Sequence, residues 1–119
     1  MAARTTEDVS KTRVEELTKR EEERFRKARP RSNELWNAAK DVLPRGVPSS
    51  FQDAAPQPVF ADHGKGSRVW DVDGNEYVDF HNGFGVMVVG HAHPKIVDAV
   101  SKQIARGSHF AQPVEDGVE

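Results

Sequence analysis

The sequence predicts an α/β chain: a charged helical lead, a second helix, a three-stranded antiparallel meander, a glycine-rich loop and a closing helix. Three observations carry this. From Val59 onward the apolar residues alternate with period two, and after Pro94 they return to helical spacing. Asp73–Gly74 sits between two alternating runs, a strong reversal signal. Between meander and last helix stand Gly83, Gly85 and Gly90, which permit left-handed backbone.

Composition narrows the function classes. The chain has 119 residues, of which 36% are hydrophobic and 30% charged, which is thin material for a self-sufficient core. A net charge of -2 gives no general basic character to attract nucleic acid. Cysteine is absent, so disulfides and thiolate metal sites are excluded. No apolar run approaches a membrane span, and "MAARTTEDVSKTRVEEL" lacks the apolar stretch of a secretory leader. A cytoplasmic protein with no membrane or nucleic-acid partner is the expectation.

Residues 1–30 read as a charged helical or disordered extension. In "KTRVEELTKREEERFRKARP" the apolar residues are sparse and charges of both signs are interleaved, as on a solvated helix. Pro30 closes that segment. Residues 31–119 then form the folded part. Ser32 is placed to cap a helix running to about Leu43, with Glu34 in its first turn and Leu35, Ala38, Ala39 and Val42 at helical spacing. "PRGVPSSFQDAAPQP" is irregular, and loops of this length inside a compact unit are commonly functional. "PVFADHG", "SRVWDVD" and "NEYVDF" read as three strands, with Asp73–Gly74 in a type I′ turn.

Two stretches suggest chemistry. "DVDGNEYVD" crowds four carboxylates, yet its glycine is fourth rather than sixth, so the spacing of an EF-hand calcium loop fails and a hairpin is expected. "GHAHP" offers His91 and His93 as a His-x-His pair. Pro94 suits a first helical position, which puts His93 at the N-cap, and Gly107 supplies the stop. His63, His81 and His109 show no ligand spacing to the pair, so a hydrogen-bonding role is favoured over metal. Phe84, between Gly83 and Gly85, is displayed on a turn as a plug for another layer or a wall of a ligand pocket.

The order "LPRGVPSS", "GKGSRVWDVDGNEYVDF" and "GFGVMVVGHAHPKIVDAVSKQIARG" resembles the N-terminal part of class III pyridoxal-phosphate aminotransferases, in particular the glutamate-1-semialdehyde aminomutase branch. The resemblance covers about Glu34 to the C-terminus. It implies part of a fold-type-I homodimer, incomplete as given, that uses pyridoxal 5'-phosphate to move an amino group between a small amine or amino acid and a carbonyl compound. The cofactor supplies that chemistry.

The family's phosphate loop, its pyridine-binding aspartate and its Schiff-base lysine all lie further along the chain than residue 119. Lys65, Lys95 and Lys102 match none of them, so no residue here is assigned as catalytic, cofactor-binding or metal-binding, and the chain alone is expected to be inactive. Substrate contacts are implied for Phe84, Ser49 and Gln52. Phe84 stands where relatives place an aromatic against substrate. Ser49 and Gln52 belong to "GVPSSFQ", where the aminomutase branch ends in an arginine that recognises a carboxylate. A neutral amide at Gln52 is no substitute for a bidentate cationic fork, which opens the site to other amine donors. The rival readings are a small autonomous binding module and a His-x-His metal protein.

Overall fold

A computed structural model of the chain describes residues 10–113. Its elements are α1 (Lys11–Lys27), α2 (Pro30–Ala39), short 3-10 turns at Pro44–Gly46 and Ser50–Gln52, strands β1 (Ala61–Lys65), β2 (Arg68–Asp71) and β3 (Glu76–Val78), and α3 (Pro94–Arg106). The strands form one sheet in the order β1-β2-β3, the expected meander. The chain gathers into two compact units, one of residues 10–62 with 70–76 and the other of 63–69 with 77–113.

In the first unit, α1 is solvated along its length and buries no residue. Exposed pairs such as Arg13–Glu16 at 3.2 Å and Arg24–Glu21 at 2.9 Å line it, and solvent screens them so that they add little to stability. Its last turn is better anchored. Asn75 Nδ2 donates to the Ala28 carbonyl at 3.1 Å, and Gln57 Nε2 to the Arg29 carbonyl at 3.0 Å. The Arg29 guanidinium lies 3.8 Å over the Phe25 ring and its Nε is 3.6 Å from the buried Asp71 carboxylate.

Three sequence expectations are corrected here. Pro30 opens α2 instead of closing the segment before it, because its missing N–H costs nothing at the first helical position. Ser32 is therefore inside the first turn, fully buried, and cannot be the cap. That role falls to Asp73, far along the chain, whose carboxylate accepts from Arg31 N at 2.6 Å, Ser32 N at 3.0 Å and Ser32 Oγ at 2.7 Å. The helix also stops at Ala39, earlier than Leu43, and residues 40–42 are a turn.

The β2–β3 reversal is wider than a two-residue type I′ turn. Gly74 N bonds Asp71 O at 3.0 Å, Asp71 N bonds Asn75 O at 3.0 Å, and positive φ is confined to Gly74 (83°). One left-handed residue after a turn is the bulged arrangement, and in it Asp71 Oδ1 accepts from Asp73 N and Asn75 N. The crowded carboxylates of this stretch thus organise backbone. Among the described residues, no group of three His, Cys, Asp or Glu could hold a metal ion.

The second unit holds β3's end, the glycine-rich loop and α3. His93 is the N-cap of α3, Pro94 its first residue and Gly107 its C-cap at φ 112°, as the sequence predicts. Ile96, Val97, Val100 and Ile104 share a face that stays about half exposed or more, whereas Val47 of the first unit is buried. No described helix is long and apolar enough to cross a membrane.

Candidate functional site

Ser49 and Gln52 lie in the first unit, on the irregular segment after α2. That segment is anchored by Trp36, whose Nε1 donates to the Arg45 carbonyl at 2.9 Å and whose ring carries Lys40 Nζ at 3.4 Å. Gly46, at φ 73°, passes so close to Trp36 that a Cβ there would meet its ring at 2.7 Å. Only glycine allows both the left-handed backbone and the contact. Arg45 pairs with Asp53 across the loop. Within it, Gln52 Oε1 accepts from Ser49 N at 3.0 Å and from Ser49 Oγ at 3.1 Å. Gln52 is exposed, and its side-chain oxygen is committed to the turn. Its carboxamide nitrogen bonds to no described residue, so it remains a neutral donor.

Phe84 belongs to the second unit. Asn82, Gly83, Phe84 and Gly85 take φ of 53°, 57°, 60° and 80°, a single left-handed turn that lifts Phe84 out to 73% exposure. Left-handed backbone is disfavoured at a bulky residue by about 1–2 kcal/mol, so the arrangement must be imposed by its surroundings. Phe84 N donates to His81 Nδ1 at 3.2 Å, and the two rings meet edge to face at 4.2 Å.

Asp79, weighed in the sequence only as one of four crowded carboxylates, organises this loop. Its Oδ1 accepts from His81 N at 2.9 Å and Asn82 N at 2.8 Å, while its Oδ2 is 2.6 Å from His91 Nε2. An ionised carboxylate only accepts, so Nε2 carries the hydrogen. These bonds, the one from His91 foremost, outweigh the opposing effect of burial and hold the Asp79 carboxyl below its ordinary value. His91 pairs through its backbone with Gly66 in both directions, at 2.8 and 2.9 Å. Its ring lies against Gly64, where a Cβ would meet Cγ at 2.6 Å. A signal existed in the sequence: an aspartate two residues before a histidine and a glycine-rich turn suits capping of that turn.

The described residues do not by themselves fit a pyridoxal cofactor. Such a group needs an amine within an enclosed pocket, but Lys65 and Lys95 are exposed and Lys102 is paired with Asp98 at 2.7 Å on the exposed surface of α3.

The sequence pattern of the class-III aminotransferases matches residues 50–116. The chain belongs to this family. It is 43% identical over 88 residues to glutamate-1-semialdehyde 2,1-aminomutase 1 of Listeria welshimeri, covering 71% of this chain and 20% of that protein. The crystal structure of a glutamate-1-semialdehyde aminomutase from Pseudomonas aeruginosa superposes with a TM-score of 0.81 at 35% identity, over 92% of this chain and 25% of that one. A form of that aminomutase was solved in complex with PMP. A β-phenylalanine aminotransferase from Variovorax paradoxus matches with a TM-score of 0.73 at 31% identity, over 78% of this chain and 22% of that one. The family assignment and its fold-type-I architecture agree with the sequence reading. The chain spans 20% of the length of the first relative it matches.

Proposed function

We propose that this chain is the N-terminal segment of a pyridoxal-phosphate-dependent aminotransferase or aminomutase, cytoplasmic and homodimeric when complete. The enzyme moves an amino group between an amine or amino acid and a carbonyl compound. Residues 1–30 are an extension to the segment 31–119. The observation that carries the reading is family membership through residues 50–116. The cofactor, which serves as the carrier of the amino group, is held by parts of the enzyme other than the residues described.

The chain's own residues shape the substrate's surroundings. Phe84 supplies an aromatic wall that excludes water from the reacting end of the substrate. Gln52, braced by Ser49, offers a neutral amide in place of a cation. This favours amine donors whose carboxylate is absent or displaced from the amine carbon over the aminomutase's own substrate type. The geometry that supports this is the fixed Ser49–Gln52 pair and the exposed Phe84.

The test expresses the protein from its complete reading frame, loads it with pyridoxal phosphate, and follows amino transfer from a panel of α-amino acids, β-amino acids and simple amines. Transfer from at least one donor is expected. A loaded protein that transfers no amine, or an isolated 119-residue chain that does, would overturn the proposal.

A further inference from the structure

Asp79 joins two parts of the second unit that the sequence separates. Its Oδ1 accepts the N–H groups of His81, just before the left-handed turn, and of Asn82, its first residue, and its Oδ2 holds the ring of His91, which follows it. Residues 82–90 are thereby closed into a loop by one carboxylate, whose own N–H donates to Ser67 O at 2.9 Å. His91 is immobilised in turn by the reciprocal backbone pair with Gly66 and by the contact of its ring with Gly64. The side chains of both residues are largely buried, 11% exposed for Asp79 and 21% for His91. Within this loop stands Phe84, strained and exposed. Backbone strain persists where surrounding bonds over-determine it, and Asp79 provides three such bonds.

We propose that Asp79 and His91 are positioning residues for Phe84: the ring of His91 braces the Asp79 carboxylate, which fixes the left-handed turn and so sets where the Phe84 ring meets substrate. The proposal rests on the reading of Phe84 as a substrate wall. Neither residue touches the reacting atoms. Their effect is on substrate fit, so it is felt in KM before kcat.

The experiment compares Asp79→Asn, His91→Gln, His91→Ala and Phe84→Ala in the protein from its complete reading frame, with the best donor of the panel. It is accompanied by nitrogen NMR of the His91 ring and amide exchange at Phe84 and Gly85 in the same complete protein. Phe84→Ala is expected to raise KM by about tenfold with kcat changed less than about twofold. Asp79→Asn and His91→Ala follow the same split and speed exchange at Phe84 and Gly85, while His91→Gln, which keeps a donor for Asp79, restores most of the wild-type values. In Asp79→Asn the His91 ring signals shift as Nε2 gives up its hydrogen to accept from the new amide. If Phe84→Ala leaves KM unchanged, the substrate-wall reading fails. If Phe84→Ala raises KM but Asp79→Asn and His91→Ala only lower the melting temperature, leaving KM and the two amides as they were, the positioning role is overturned. Should a variant fail to fold, His91→Gln and the ring spectrum of the complete wild-type protein decide: a His91 ring without hydrogen on Nε2 overturns the brace.

Discussion

The ring of His91 occupies the space that a side chain on residue 64 would need. A Cβ built on Gly64 falls 2.6 Å from Cγ and 2.9 Å from Cβ of His91, atoms near the backbone that cannot swing aside. Gly64→Ala should therefore destabilise the chain by about 1–3 kcal/mol, the range for overpacking a close contact. The double variant Gly64→Ala/His91→Ala should lose less than the sum of the two singles, because the clash disappears with the ring. Denaturant midpoints of the four proteins measure this, and simple additivity would count against the contact.

Asp73 should behave as an N-cap despite its distance in sequence. Asp73→Ala removes the acceptor for two helix N–H groups and leaves the buried Ser32 hydroxyl without its shortest partner. A loss of about 1–2 kcal/mol is expected, the upper range for cap removal. Hydrogen exchange resolved by residue should show the loss concentrated in the first turn of α2. An even loss over the whole chain would argue against it.

Acid should act through the same carboxylate. Burial pushes the Asp73 carboxyl up, but hydrogen bonds from the Ser32 hydroxyl, Ser32 N–H and Arg31 N–H together prevail and hold it below its ordinary value. A carboxylate whose folded value is lowered stabilises the fold above the unfolded value, about 3.9 for aspartate, and that stability fades as pH falls through the lowered value. Stability measured from pH 7 to pH 3 should drop at the acid end, and Asp73→Asn should flatten that slope. An unchanged slope in the variant would refute the linkage.

Gln52 gives a specificity test. In the complete enzyme, Gln52→Arg places a bidentate cation where a neutral amide stands, and relative kcat/KM should rise about tenfold for donors bearing a carboxylate at the position the arginine reaches. The same substitution also removes the amide oxygen that Ser49 uses. A Gln52→Met control separates loss of that brace from gain of charge. An unaltered preference across the donor panel would remove Gln52 from substrate recognition.

Phe84→Gly should raise stability by about 1 kcal/mol while impairing activity. Glycine accepts φ of 60° without the clash that a Cβ incurs, and the exposed ring contributes little burial to offset it. Phe84→Ala keeps the backbone penalty and should not share the gain. A destabilised glycine variant would mean that the ring is held by more than its backbone.

What could be read from the sequence was local. The meander announced itself by alternation from Val59, and α3 by Pro94, its apolar spacing and Gly107, because each depends on neighbours within a few residues. The placement of His93 at the cap followed for the same reason. Ser32 misled because its type is right for a cap, whereas the acceptor that wins is Asp73, brought close only by the folded hairpin. The loop-closing role of Asp79 was missed likewise: its partners Asn82 and His91 are tied together by a loop whose left-handed course no propensity scale records. Family motifs pointed to Phe84, Ser49 and Gln52, and the structure adds how Phe84 is lifted and how Ser49 secures Gln52.

The bond between Asp73 and Ser32 also sets a timetable. The N–H groups that open α2 lie 41 and 42 positions ahead of the carboxylate that receives them. At a synthesis rate of about 5–20 residues per second, the start of this helix waits roughly 2–8 seconds on the ribosome before its cap has been made. Throughout that interval α2 must survive on its own weak preferences, and it becomes fixed when the hairpin arrives. The turn at Asp71–Asn75 is thus a late-made fastening for an early-made helix.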